Sequence, residues 1–250
     1  LNEMKTTRLS TTTTTTPAGS IGSRLFSTPK IDSSPINFEN EKELTKKLEE
    51  ITSDFKNKEK DWSFRLKSLQ VLQRIINGNA IEFKGWSMLL RSLTSGLIEQ
   101  LLELRSTIVK EACQSVSLLC QRMKGKFEPF AQLYIQPLIR MVPVKTTIIA
   151  ESAHQTIKDI IENVQTKNIF QVFLDGSVDQ HNEQLRKRCC EYIYIVINRA
   201  IDLEGMILLS SIPALEKSIQ KLLVDAASET RQIARYCFWS YIELNEKSAT

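Results

Sequence analysis

Apolar positions along this chain fall into helical stripes rather than alternations of period two. The earliest stripe is Leu44, Leu48, Ile51 and Phe55, with Lys46, Lys47, Glu49 and Glu50 on the opposite face. That pattern predicts an amphipathic helix over residues 38–56. From Asp61 onward the pattern reads as helix after helix, with breaks at Asn77-Gly78, Lys124-Gly125, Pro143, Asp175-Gly176, Glu204-Gly205 and Pro213. Five segments align on one another. One column holds Phe64, Val109, Ile149, Leu185 and Ile233. Four residues later stands a small residue each time: Ser68, Cys113, Ala153, Cys189 and Cys237. Eleven residues after the first column come Ile75, Cys120, Ile160, Val196 and Leu244.

The intervals between copies are 45, 40, 36 and 48 residues, close to the roughly 40 to 47 expected of HEAT or armadillo repeats. Positions 0, +4 and +11 share one helix face, and a small residue at +4 lets a neighbouring helix approach closely. A lone helix pair cannot bury its apolar face, so successive pairs stack into a solenoid with one continuous core. The β-branched run around Tyr194 could be read locally as a strand, but its place in the repeat column predicts helix. The expected fold is all-α: a HEAT-repeat solenoid over residues 37–250, with repeats from about residue 60 and the 38–56 helix ahead of them.

Residues 1–36 differ in composition. They hold 15 Ser or Thr, three prolines and Phe26 as their sole aromatic residue, too little apolar surface to offset the entropy of ordering. The expectation is a disordered Ser/Thr-rich linker, in which Ser27, Thr28 or Ser34 could take phosphate.

Composition narrows the chemistry. The 250 residues carry a formal charge of +4, well short of a general nucleic-acid binder. No apolar run approaches the roughly 18 to 20 residues of a membrane span. Five cysteines with no CxxC pair, and two histidines, favour a reducing compartment over a disulfide framework. Cys189-Cys190 invites a nucleophile reading, yet Cys113, Cys189 and Cys237 stand in the small-residue column, where a thiol serves as a compact apolar filler. His154 and His181 have no metal or triad spacing around them. Neither a catalytic residue nor a metal or cofactor site is expected. Ser210-Ser211-Ile212-Pro213 fits an end-binding-protein motif, but it lies inside a helical repeat rather than in the extended segment such motifs need.

The binding candidates lie just ahead of each repeated helix, where equivalent loops of a solenoid form a ridge. Those positions offer Trp62, Arg105, Lys145, then Arg186 with Lys187 and Arg188, then Arg231 and Arg235. An aromatic anchor followed by a line of arginines suits a protein-binding strip, and charge steering favours an acidic partner. The alternative is a generic HEAT scaffold that grips another protein along its concave helical face.

The strings KDWSFRLKSLQVL, RSTIVKEAC, GKFEPFAQLYIQPLIRMVP, LRKRCCEYI and DAASETRQIARYCFW resemble the TOG domains of the CLASP family of microtubule-associated proteins, and less closely those of the crescerins. The resemblance implies a six-repeat HEAT domain that binds αβ-tubulin or the microtubule lattice through intra-repeat loops, favouring rescue and suppressing catastrophe. It implies a non-enzymatic, monomeric module of the cytoplasmic cytoskeleton, at spindle or cortical microtubules or in a cilium, without nucleic-acid or membrane partners. By position, Trp62 matches the family's first-loop tryptophan and Arg105 the basic residue opening the second loop. Arg186 and Arg188 fall in a later basic block, and Arg231 and Arg235 in the last loop. The third loop departs from the family pattern, with Thr147 in place of a lysine and Lys145 as the substitute.

Overall fold

The computed structural model describes residues 34–59, 61–202 and 209–248. Residues 1–33, on which most of the linker reading falls, lie outside it. Ten α-helices follow in order: α1 (Glu41–Lys56), α2 (Trp62–Asn77), α3 (Trp86–Leu101), α4 (Ser106–Met123), α5 (Glu128–Met141), α6 (Thr147–Asn163), α7 (Phe170–Ser177), α8 (Glu183–Asp202), α9 (Ile212–Leu223) and α10 (Ser228–Ser248). Short 3-10 turns precede α3, α5 and α9.

The helices pair as α1/α2, α3/α4, α5/α6, α7/α8 and α9/α10. Each pair stacks on the next, even helix on even helix, with odd helices also in contact at α1/α3, α3/α5 and α7/α9. The repeated column found in the sequence therefore lies on the second member of every pair. The helix predicted over 38–56 begins at Glu41 and is the partner of α2. Residues 86–101 and 170–177, which carry no copy of the repeated column, form first members, α3 and α7. The described residues hold five pairs; a sixth is not among them.

Burial explains the column. The residues at +4 and +11 are buried in all five copies, none more than 6% exposed. The small side chains at +4 meet neighbouring helices: Ser68 bonds to Asp54 of α1, Cys189 lies against Gly176 of α7, and Cys237 against Cys190 of α8. The first position behaves differently. Val109 and Ile149 are buried, Leu185 and Ile233 are half-buried, and Phe64 is 47% exposed. At the start of α2 the inward place goes instead to Arg65, whose guanidinium donates to the Glu103 carboxylate at 2.8 Å. Phe64 turns outward beneath Lys67.

Local chemistry sets the helix ends. Asn40 opens α1 with a reciprocal cap: its Oδ1 accepts from the Glu43 amide while its Nδ2 donates to the Glu43 carboxylate. Asp61 caps α2 by accepting from the Ser63 amide at 2.9 Å. Gly78 ends α2, and a Cβ there would lie 2.0 Å from the Ile36 carbonyl oxygen. Gly176, predicted as a break, sits in the last turn of α7. It is there for close approach: a Cβ would stand 2.5 Å from Cys189 Sγ on α8. The β-branched run of α8 is helical, because tertiary position overrides local propensity. Ser210–Pro213 is built into the 3-10 turn and first turn of α9.

The candidate protein-binding edge

Because the pairs stack in register, the five loops joining first to second helix lie along one edge. Their described residues are 57–59 and 61, 102–105, 142–146, 178–182 and 224–227. Ion pairs running between copies show the adjacency. Arg65 ties the first copy to Glu103 of the second loop. Arg188 of α8 reaches Glu151 of α6, and Arg186 reaches Asp225 of the fifth loop.

This geometry points the N-termini of all five even helices at the same edge. Each carries the positive end of a helix dipole. At α4 and α6 the cap residues, Arg105 and Thr146, make no side-chain cap hydrogen bond, so backbone N–H groups there are available to an outside acceptor.

The seven predicted residues divide into two groups. Arg105, Lys145 and Arg235 are exposed. Arg105 approaches Glu103 only to 3.6 Å with half its side chain in solvent. The side chains of Lys145 and Arg235 take part in no hydrogen bond or ion pair among the described residues. Trp62, on the first turn of α2, is half-buried against the core with part of its surface outward.

Arg186, Arg188 and Arg231 are engaged within the protein. Arg186 Nε donates to Asp225 Oδ2 at 2.6 Å and its Nη1 to the Asp179 carbonyl at 3.2 Å. That hydrogen bond holds the Asp225 carboxyl below its usual range and raises the Arg186 guanidinium. Arg188 bridges Glu151, Glu191 and His154. Arg231 Nη1 donates to the carbonyls of Asp225 and Ala226, bracing the fifth loop. Lys187 is likewise paired, with Glu229.

Sequence reading passed over the apolar half of this edge. Leu104 is 91% exposed, Val144 40% and Val224 79%. Leu104-Arg105 and Val144-Lys145 each set an apolar residue directly before a cation, with Ile148 also exposed beyond the third loop. An apolar side chain in a short loop where it has no core to enter was the available signal.

The thiols fit a packing role. All five cysteines are free and buried. Burial pushes Cys113 and Cys120 up to about 12 and raises Cys189 further. Cys190 is raised most by its contact with Cys237, whose sulfur lies 3.9 Å away. A thiol held protonated and out of solvent is a poor nucleophile. Burial, and then the Arg188 charge, lower the His154 imidazole below its usual range. Its Nδ1 meets the Tyr192 hydroxyl at 2.9 Å, part of a polar joint between α6 and α8. Among the described residues no cluster of three His, Cys, Asp or Glu is placed to hold a metal, and no helix is long and apolar enough to cross a membrane.

A family model described as the CLASP N terminal matches residues 44–250. The chain belongs to the CLASP N-terminal family. A Dictyostelium discoideum protein, itself uncharacterized, is 69% identical over 264 residues, covering 99% of this chain and 32% of its own length. The CLIP-associated protein of Arabidopsis thaliana is 33% identical over 204 residues, covering 82% of this chain and 14% of its own. The chain thus spans about a third or less of the length of these CLASP-family and related sequences. Among solved structures, a TOG-domain array of a microtubule polymerase superposes with a TM-score of 0.65 at 16% identity, over 86% of this chain and 43% of that one. The MAST/Orbit N-terminal domain gives 0.54 at 13% identity, over 87% of each chain. Likeness at such identity establishes a shared fold, the TOG-type stack of HEAT-like helix pairs.

Proposed function

We propose that this CLASP-family domain binds αβ-tubulin, free or in the microtubule lattice, along the edge made by its intra-pair loops, and that it regulates microtubule dynamics non-catalytically. One observation carries the reading. The half-buried Trp62, the exposed apolar residues Leu104, Val144 and Val224, and the exposed cations Arg105, Lys145 and Arg235 share the edge of five aligned helix N-termini. An apolar anchor flanked by positive charge matches an acidic protein surface. The structural neighbours support tubulin as that surface: one is described through tubulin recruitment by polymerases with TOG arrays, another through TOG–tubulin binding specificity.

Within this reading the seven sequence candidates have different tasks. Trp62, Arg105, Lys145 and Arg235 meet the partner. Arg186 and Arg231 hold the fourth and fifth loops in place, and Arg188 ties α8 to α6, since their guanidiniums are already engaged. The site is one of association at microtubules, as a monomer with one bound dimer, and uses no cofactor.

The test is co-sedimentation of the full chain with stabilised microtubules, alongside gel filtration with free tubulin, at two salt concentrations. The triple variant Arg105→Glu, Lys145→Glu, Arg235→Glu is expected to lose at least tenfold in affinity with helicity unchanged. Equal binding by that variant would overturn the loop-edge reading and favour the concave helical face.

A further inference from the structure

We infer that Ser34 is a phosphorylation site for a proline-directed Ser/Thr kinase, and that Arg74 on α2 receives the phosphate. Three observations converge. Ser34 is exposed and followed by Pro35, the residue pair such kinases select. Its Oγ accepts from Arg74 Nη2 at 3.2 Å, and its carbonyl accepts from Arg74 Nε at 2.8 Å. The chain beyond it is docked: the Ile36 amide donates to the Arg74 carbonyl at 3.0 Å, and Asn79 Oδ1 accepts from the Phe38 amide at 2.9 Å.

The modification site is therefore also the outer end of a strap that fastens residues 34–38 to the α2 C-terminus. In the reaction Ser34 Oγ attacks the γ-phosphorus of ATP. The bond to the β-phosphate oxygen breaks, ADP leaves, and the hydroxyl proton passes to the kinase base. A phosphoserine brings about −1.5 to −2 charge and three acceptor oxygens. A guanidinium already aimed at Oγ forms charge-assisted, forked hydrogen bonds to them. Arg122 of α4, whose Nη2 donates to the Gly78 carbonyl at 3.2 Å, adds a second cation at the same helix end. The carbonyls ending α2 oppose a phosphate, but as partial charges against two full ones. Phosphorylation tightens the strap and, through Gly78 and Arg122, the joint between the first two pairs.

The experiment treats the full 250-residue chain with ATP and a proline-directed kinase and locates phosphate by mass spectrometry. Thr16-Pro17 and Thr28-Pro29 are the other Ser/Thr-Pro pairs in the sequence, so Thr28 serves as an internal control. Amide exchange is then followed at Ile36 and Phe38 in a Thr16→Ala, Thr28→Ala background. Phosphorylation is expected to slow both amides by about tenfold, and the Arg74→Gln variant to lose that slowing. Should Arg74→Gln fail to fold, Arg74→Lys must show a smaller slowing than the parent, because lysine lacks the fork. Phosphate on Thr28 but not Ser34 overturns the site. Phosphate on Ser34 with unchanged exchange, or with the same slowing in the Arg74 variants, overturns the role of Arg74.

Discussion

At the scale of single residues, one tight constraint is the meeting of Gly176 with Cys189. A methyl group at Gly176 would press on a sulfur that is itself buried, so Gly176→Ala is expected to cost about 1–3 kcal/mol. The same substitution in a Cys189→Ala background should cost less, because the clashing atom is gone. Denaturant unfolding of the two singles and the double measures this coupling. Trp62 makes a different prediction. Its indole is half-buried, so Trp62→Ala perturbs packing modestly while removing the aromatic anchor at one end of the edge. Affinity for tubulin is expected to fall by more than about 1 kcal/mol, with circular dichroism unchanged.

At the scale of elements, helix ends and inter-copy ties dominate. Lys124, closing α4, has φ 50° and ψ −129°, a region that favours glycine. Lys124→Gly is therefore expected to raise stability by about 1 kcal/mol in thermal unfolding. The Arg186–Asp225 tie gives the fifth pair a pH dependence. The Asp225 carboxyl titrates below its unfolded value of about 3.9, chiefly because Arg186 hydrogen-bonds it. A depressed carboxylate stabilises the fold above the unfolded pKa, and that contribution is lost as pH falls through the folded pKa. Asp225→Asn should thus lower stability by about 2 kcal/mol at neutral pH, leaving Arg186 without its counter-charge. The difference from the parent should shrink below about pH 4. A constant difference from pH 7 to pH 3 would show that the charge is not what binds loop to helix.

At the scale of the whole domain, function rests on register. Among the described residues, ten helices in five pairs bring loops some 40 residues apart in sequence onto one edge. Steering by that edge should be salt-sensitive, since exposed charges are screened within about 8 Å at physiological ionic strength. The apolar contacts of Leu104 and Val144 should not be. Association rates measured against salt should fall steeply for the parent and only weakly for the triple charge reversal. A Leu104→Ser variant should keep the parent's salt slope while dissociating faster.

The repeat was legible in the sequence because it has a local cause. A small residue at +4 and an apolar one at +11 recur since every even helix meets its neighbours in the same way, and period and burial follow from one helix face. Stripes such as Leu44, Leu48, Ile51 and Phe55 needed no tertiary information for the same reason. What needed tertiary structure was everything settled between copies. Phe64 stands in an apolar column yet faces water, while the inward place goes to Arg65, paired with Glu103 38 residues away. Arg186, Arg188 and Arg231 look in sequence like Arg105, Lys145 and Arg235. Only folding brings Asp225, Glu151 and the 225–226 carbonyls against the former three. A side chain's face is written in its spacing along one helix, whereas its counter-charge comes from another helix and depends on the stack.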